Sequence, residues 1–124
     1  MALLIGTGIN FQGGISITSE YAPGSTQKAI FGYGYGSSGY SSLTNLVSNT
    51  GVVATDTTGV GTARYYLAAA GYGGDKAIFG YGTNSSLTFV SMTNLVSNTG
   101  VVSSDTTGVG TARYSLAAAG YGKG

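Results

Sequence analysis

A near-identical unit occurs twice in this sequence, and it limits the possible folds more than any other feature. Segment 44–73 returns as 93–122, displaced by 49 residues, and a shorter block, KAIFGYG, occurs at 28–34 and again at 76–82. A period in this range is typical of repeat architectures, in which each copy is one supersecondary unit that packs on the next. The two long copies differ only at the pairs Ala54/Ser103, Thr55/Ser104 and Tyr66/Ser115.

Composition excludes several classes of function. Five basic and four acidic side chains give a net charge near +1, so we expect no nucleic-acid footprint. Without Cys or His the chain lacks the commonest metal ligands and general bases, and we predict no metal, no cofactor, no catalytic residue and no enzyme activity. No apolar run reaches the roughly 18 residues of a membrane span. Ala2–Ile5 is too short for a signal-peptide core. We therefore predict neither membrane insertion nor a signal peptide.

Short apolar runs bounded by glycine predict an all-β chain with almost no helix. We expect an N-terminal arm with short strands over 1–27, a first repeat over 28–75 and a second over 76–124. Each repeat is predicted to hold four short antiparallel strands. In order, they are Ala29–Tyr33 or Ala77–Tyr81, Leu43–Ser48 or Val90–Ser97, Val52–Thr55 or Val101–Ser104, and Tyr65–Ala70 or Tyr114–Ala119.

The string from Arg64 to Gly82, RYYLAAAGYGGDKAIFGYG, resembles the kelch motif. In that family an Arg precedes an inner strand, a Gly/Asp turn follows, and an apolar strand ends in a glycine doublet. This chain departs from the pattern because Gly-Tyr-Gly replaces the doublet and Trp is absent. The resemblance implies that each repeat is one kelch-like β-propeller blade. A sandwich of two sheets within one chain is the alternative architecture.

Two blades cannot close a ring, and the last predicted strand, within Arg113–Gly122, has no partner in its own repeat. We therefore predict a homo-oligomeric ring, with a trimer favoured, in which that strand completes a blade of the next protomer. The predicted interface residues are Arg113, Tyr114, Leu116, Ala118, Ala29 and Phe31.

Candidate binding residues lie in the loops where the two copies diverge. Tyr35, Tyr40, Asn84 and Phe89 combine rigid rings with an adaptable polar group, which is the composition of many recognition surfaces. Drift of unconstrained loops is the alternative explanation. Arg64 and Arg113 are predicted to bond loop carbonyls between repeats rather than to bind an anion. Asp56 and Asp105 are predicted to cap turns through the backbone N–H groups that follow them rather than to act in catalysis.

The opening residues supply the only indication of biological context. Gly13–Thr18, GGISIT, is similar to the openings of structural proteins in tailed bacteriophages. The resemblance implies a virion structural protein, a tail, neck or fibre component located in the phage particle, whose residues 1–27 contact other virion proteins. A lectin-like module or adhesin that binds host-surface glycan is the second hypothesis.

Overall fold

A computed structural model describes residues 26–122, and within this range the chain is all-β and contains no helix. The predicted arm over 1–27 lies almost entirely outside the described residues. Short apolar segments bounded by turns form the strands, as the sequence pattern predicts. The strands are β1 (Ala29–Gly36), β2 (Gly39–Val47), β3 (Arg64–Tyr65), β4 (Ala68–Tyr72), β5 (Lys76–Gly80), β6 (Thr83–Asn84) and β7 (Thr93–Val96).

The strands form three small antiparallel sheets. Strands β1 and β2 make a hairpin, β3 pairs with β6, and the third sheet has the order β4-β5-β7. Strand β5 is therefore central, with the end of the first copy on one side and the second copy's own β7 on the other. This pairing ties the two copies together through backbone hydrogen bonds.

A further extended segment follows β2 in the first copy and β7 in the second copy. It pairs with the preceding strand only at isolated positions. Val47 pairs with Val53 and Thr44 with Thr57, and the second copy repeats both bridges at Val96–Val102 and Thr93–Thr106. The predicted strands Val52–Thr55 and Val101–Ser104 are thus bridged segments rather than continuous strands. The predicted turns before them are present, and the Gly51 and Gly100 N–H groups donate to the Ser48 and Ser97 carbonyls, respectively.

Three further segments differ from the sequence-based expectation. Residues 34–42, in the first of the divergent loops, are mostly strand, because β1 continues to Gly36 and β2 starts at Gly39 around a short Ser-Ser turn. The predicted strand Tyr65–Ala70 is divided into β3 and β4, since Tyr66 has a φ of +56° that interrupts the extended backbone. The predicted strand Tyr114–Ala119 is not formed at all. Its first-copy equivalent pairs with the β5 that follows it, whereas within the described residues no strand follows the second copy.

The buried core is small and lies between the two copies. Phe79, Val90 and Val96 are its buried apolar side chains. Phe79 packs on the β1–β2 hairpin so closely that a Cβ placed on Gly32 would lie 2.8 Å from the Phe79 Cζ. Because no larger residue fits beneath the ring, this glycine is required by packing rather than by its φ. Leu46 makes a similar contact, since a Cβ on Gly100 would lie 2.6 Å from its Cδ2.

A buried polar cluster lies beside these apolar contacts. The Arg64 side chain is fully buried, and its Nη2 donates to Asn94 Oδ1 at 2.6 Å and its Nε to the Tyr81 carbonyl at 3.0 Å. Its Nη1 donates to the Thr62 carbonyl and lies 3.7 Å from Asp105 Oδ1. The prediction that Arg64 bonds loop carbonyls is confirmed, and these bonds meet the requirement that a buried charge be paired.

Asp105 completes the cluster. The Thr62 N–H and hydroxyl both donate to its carboxylate, and Asn94 Nδ2 donates to its Oδ1 at 2.9 Å. The carboxylate thus bonds the first copy, whereas a cap on its own following turn was expected. We call this set of contacts between the two copies the inter-copy joint. Its polar part consists of Arg64 and Thr62 with Asn94 and Asp105. Its packing part consists of Phe79 on Gly32 and Leu46 on Gly100.

Candidate functional site

The tip of the β1–β2 hairpin presents a pair of tyrosines. Tyr35 and Tyr40 are directly opposite each other in register, and their ring centroids lie 5.1 Å apart at an interplanar angle of 84°. This edge-to-face geometry is favoured by the quadrupoles of the two rings. Cross-strand packing therefore fixes both side chains on one face of the hairpin.

Strand β3 and the residue that follows it add two more rings beside this pair. Tyr65 lies 5.1 Å from the Tyr40 ring and 5.6 Å from the Tyr35 ring. Neighbouring residues of an extended strand normally point to opposite faces. The positive φ of Tyr66 breaks that alternation, and its ring lies 4.3 Å from the Tyr65 ring. A strained backbone position thus serves to place two adjacent rings together.

The second copy extends the series. Tyr114 lies 5.7 Å from the Tyr66 ring, and Phe89 lies 4.8 Å from the Tyr114 ring. The Ser115 N–H donates to the Tyr66 carbonyl and holds the two copies side by side at this point. We call this continuous set the aromatic row. Its members are Tyr40, Tyr35, Tyr65, Tyr66, Tyr114 and Phe89.

Four members of the aromatic row are exposed, namely Tyr35, Tyr66, Tyr114 and Phe89. An exposed apolar surface of this extent on a small protein marks an interaction site. An open groove of about 420 Å³ begins beside Tyr40 and is lined mainly by small residues. Four of them carry hydroxyl groups, namely Ser37, Ser38, Ser41 and Ser42.

The side chains of the aromatic row carry no charge at physiological pH. Partial burial raises the pKa of the Tyr65 phenol, and its neighbour Tyr40 raises it further. Tyr65 therefore keeps its O–H at physiological pH and offers a neutral donor and acceptor. A surface of aromatic faces, hydroxyls and backbone groups suits a neutral polar ligand better than an ion.

The structure brings three of the four predicted binding residues together in the aromatic row: Tyr35, Tyr40 and Phe89. Asn84 is placed differently, because its side-chain oxygen accepts the N–H groups of Ser86 and Thr88 and so shapes its own turn.

Sequence reasoning did not single out Tyr65 or Tyr66 and assigned Tyr114 to the predicted interface rather than to ligand binding. All three lie in the repeated unit rather than in the divergent loops. The Tyr66/Ser115 difference was a usable signal, since it is one of the few positions at which the copies differ.

The six predicted interface residues lie near the ends of the described range. Arg113, Tyr114 and Ala118 are exposed and Leu116 is half-buried. At the other end, Ala29 is exposed and Phe31 has 63% of its surface accessible. These positions leave the predicted interface available for a partner.

Over residues 26–122 no group of three or more Asp, Glu, His or Cys side chains is arranged to hold a metal ion. The same range contains no helix long and apolar enough to cross a membrane. Comparison with protein-family models, curated proteins and solved structures finds no match to this chain in any of the three.

Proposed function

We propose that this protein is a structural and adhesive component of a tailed-bacteriophage virion that binds carbohydrate through the aromatic row. Chains assemble into a homo-oligomeric ring of kelch-like β-propeller blades, with a trimer favoured. The assignment to the tail, neck or fibre of a particle follows from the resemblance at Gly13–Thr18. Residues 1–27 would attach the ring to other virion proteins.

The aromatic row is the observation that carries the binding proposal. Sugar rings have apolar C–H faces that pack on exposed aromatic rings, and their hydroxyls bond to neighbouring hydroxyls and backbone groups. Tyr35, Tyr66 and Tyr114 offer exposed rings held by mutual packing, so little side-chain freedom is lost on binding. The serine-lined groove beside Tyr40 supplies the polar partners.

Repetition of the surface adds to this argument. Weak single sites become strong when several are displayed on one rigid assembly, because later contacts form at high effective concentration. A homo-oligomer would present one aromatic row per chain. This arrangement suits an adhesin that must recognise a surface dense in glycan.

The strand order of the third sheet supports the ring proposal. The order β4-β5-β7, extended by the bridged segment around Val102 and Thr106, is an antiparallel series of the kind found in one propeller blade. Its innermost member, β4, comes from the preceding copy. The corresponding segment of the second copy, 117–121, would then complete a blade of the next protomer.

A glycan array tests the binding proposal. The double variant Tyr35→Ala/Tyr66→Ala should lose at least about fivefold in affinity, since each ring contact contributes about 0.5–1.5 kcal/mol. Tyr72→Ala is the matched control, because this tyrosine is also exposed and lies outside the aromatic row. An array that stays silent with the folded wild-type assembly would overturn carbohydrate binding. Immunogold labelling that finds no copy on purified particles would overturn the virion assignment.

A further inference from the structure

We propose that the chain docks head to tail on a second copy of itself, and that the contact repeats the inter-copy joint. The inference deepens the proposed assembly by naming the surfaces that meet. It does not depend on carbohydrate as the ligand. Each of the two copies carries, on the face turned away from the other copy, one half of that joint.

The second-copy end carries the half of the joint that contains the hydrogen-bond donor Arg113. Arg113 corresponds to Arg64, yet within residues 26–122 its guanidinium donates only to the Thr111 carbonyl, at 2.9 Å. Leu95 corresponds to Leu46 and is exposed. Gly80 corresponds to Gly32, and a Cβ there would meet only Thr93 and the Met92 carbonyl, with no aromatic ring above it.

The first-copy end carries the half of the joint that contains the hydrogen-bond acceptors Asn45 and Asp56. Asn45 and Asp56 correspond to Asn94 and Asp105, and they lie at a surface without an arginine above them. Phe31 corresponds to Phe79 but is 63% exposed, whereas Phe79 is 4% exposed. Gly51 corresponds to Gly100, and a Cβ there would meet no atom within 4 Å.

Both halves already have the geometry that the joint requires. Asn45 Nδ2 lies 2.8 Å from Asp56 Oδ1, against 2.9 Å for the same bond between Asn94 and Asp105. The Arg113 guanidinium lies 4.7 Å from the Tyr81 ring centroid, against 4.8 Å for Arg64 over Tyr33. Little reorganisation is therefore needed for the two surfaces to meet.

The two ends are complementary in charge and shape. One presents the Arg113 cation and the exposed Leu95 side chain, and the other presents the Asp56 carboxylate and the exposed Phe31 ring. We expect Arg113 to donate to Asn45 and to the Tyr33 carbonyl, Thr111 to donate to Asp56, and Phe31 to pack on Gly80. Such a contact joins two different surfaces, so it generates a ring when the rotation closes.

Two blocking variants test the joint. Phe31→Glu disables the first-copy end and Arg113→Glu disables the second-copy end, so each variant alone should have the 12.3 kDa mass of a monomer by native mass spectrometry. An equimolar mixture retains one working pair of ends and should give a species at twice 12.3 kDa and nothing larger. Val52→Glu is the control and should assemble as the wild type does. Val52 and its equivalent Val101 are 66% and 63% exposed, so the joint covers neither position.

Several outcomes would overturn the proposal. They are a monomeric wild type, a mixture of folded variants that stays at 12.3 kDa, and a blocking variant that keeps the wild-type mass. The last result would point to a different self-contact and would leave the adhesive function standing. Circular dichroism identifies a variant that fails to fold. Asp56→Arg then replaces Phe31→Glu, and Leu95→Glu replaces Arg113→Glu, with the same expected masses.

Discussion

Arg64 and Arg113 follow the same residues, yet they have opposite environments. Arg64 is fully buried and bonds three partners in addition to the nearby Asp105 carboxylate, whereas Arg113 is exposed and bonds the Thr111 carbonyl. The local sequence cannot cause the difference, because G-V-G-T-A-R-Y is identical in both copies. What differs is the neighbour, since within residues 26–122 the second copy covers Arg64 whereas Arg113 stays exposed.

Phe79 and Phe31 show the same difference at the opposite end. The ring of Phe79 fills the surface of Gly32, and the identical ring of Phe31 is solvent-exposed. The stability of a repeat protein is approximately the sum of the intrinsic stability of each copy and the contacts between neighbouring copies. The four predictions below separate those two sources.

The largest effect is expected for phenylalanine truncation. Phe79→Ala removes a buried ring and should lower the free energy of unfolding by about 3–5 kcal/mol. Phe31→Ala should change it by less than about 0.5 kcal/mol when measured in the monomeric Arg113→Glu background. Chemical denaturation of both variants checks the pair. Equal losses would mean that the copies are stabilised independently.

Arginine replacement should give a difference in unfolding free energy between the two copies that is almost as large. Arg64→Met leaves Asn94 Oδ1 and the Tyr81 carbonyl without their donor and should cost about 3–5 kcal/mol of unfolding free energy, as for other broken buried pairs. Arg113→Met in the monomeric Phe31→Glu background should cost less than about 0.5 kcal/mol. Thermal or urea unfolding measures both values. A large loss at Arg113 in the monomer would contradict the comparison.

A glycine pair isolates the packing contribution of the joint. Gly51 and Gly100 have φ values of +87° and +86°, so replacing either with alanine introduces the same backbone strain. Gly100→Ala must in addition displace Leu46, and it should be more destabilising than Gly51→Ala by about 1 kcal/mol. Urea midpoints in the Arg113→Glu background provide the measurement. Identical midpoints would show that Leu46 has no fixed position against the second copy.

The smallest effect concerns pH. Burial alone would raise the pKa of Asp105, but hydrogen bonds from Thr62 and Asn94 and the charge of Arg64 together hold that pKa below its usual value. The unfolded state therefore binds the proton more readily, and the joint loses stability as the pH falls through the folded-state pKa. We expect a loss of less than about 1 kcal/mol, because the carboxylate is partly exposed.

The Asp105→Asn variant isolates this contribution. The difference in unfolding free energy between wild type and Asp105→Asn should be constant near neutral pH and should shrink as the pH drops below about 3.9, the ordinary pKa of Asp. A difference that stays constant down to strongly acidic pH would show that Asp105 does not act through its charge.

The sequence predicted the all-β class and the repeated arrangement of strands, because both follow from local periodicity and from the duplication itself. It also predicted that Arg64 bonds backbone carbonyls. It did not predict that Asp105 bonds the preceding copy, since the partner Thr62 is far away in sequence and the Asp-Thr-Thr-Gly motif favours a local turn equally well. The aromatic row was predicted only in part. The positive φ of Tyr66, which joins Tyr65 to the row, is not a property that the residue type reveals.

The mass of the wild-type protein in solution tests the central claim most directly. If the exposed ends are the two halves of an unfinished joint, native mass spectrometry should give one closed species at a small multiple of 12.3 kDa, with three times that mass favoured. A species that remains at 12.3 kDa as the concentration is raised would contradict the account. Arg113 and Phe31 would then be ordinary surface residues, and the difference between the two copies would have no function.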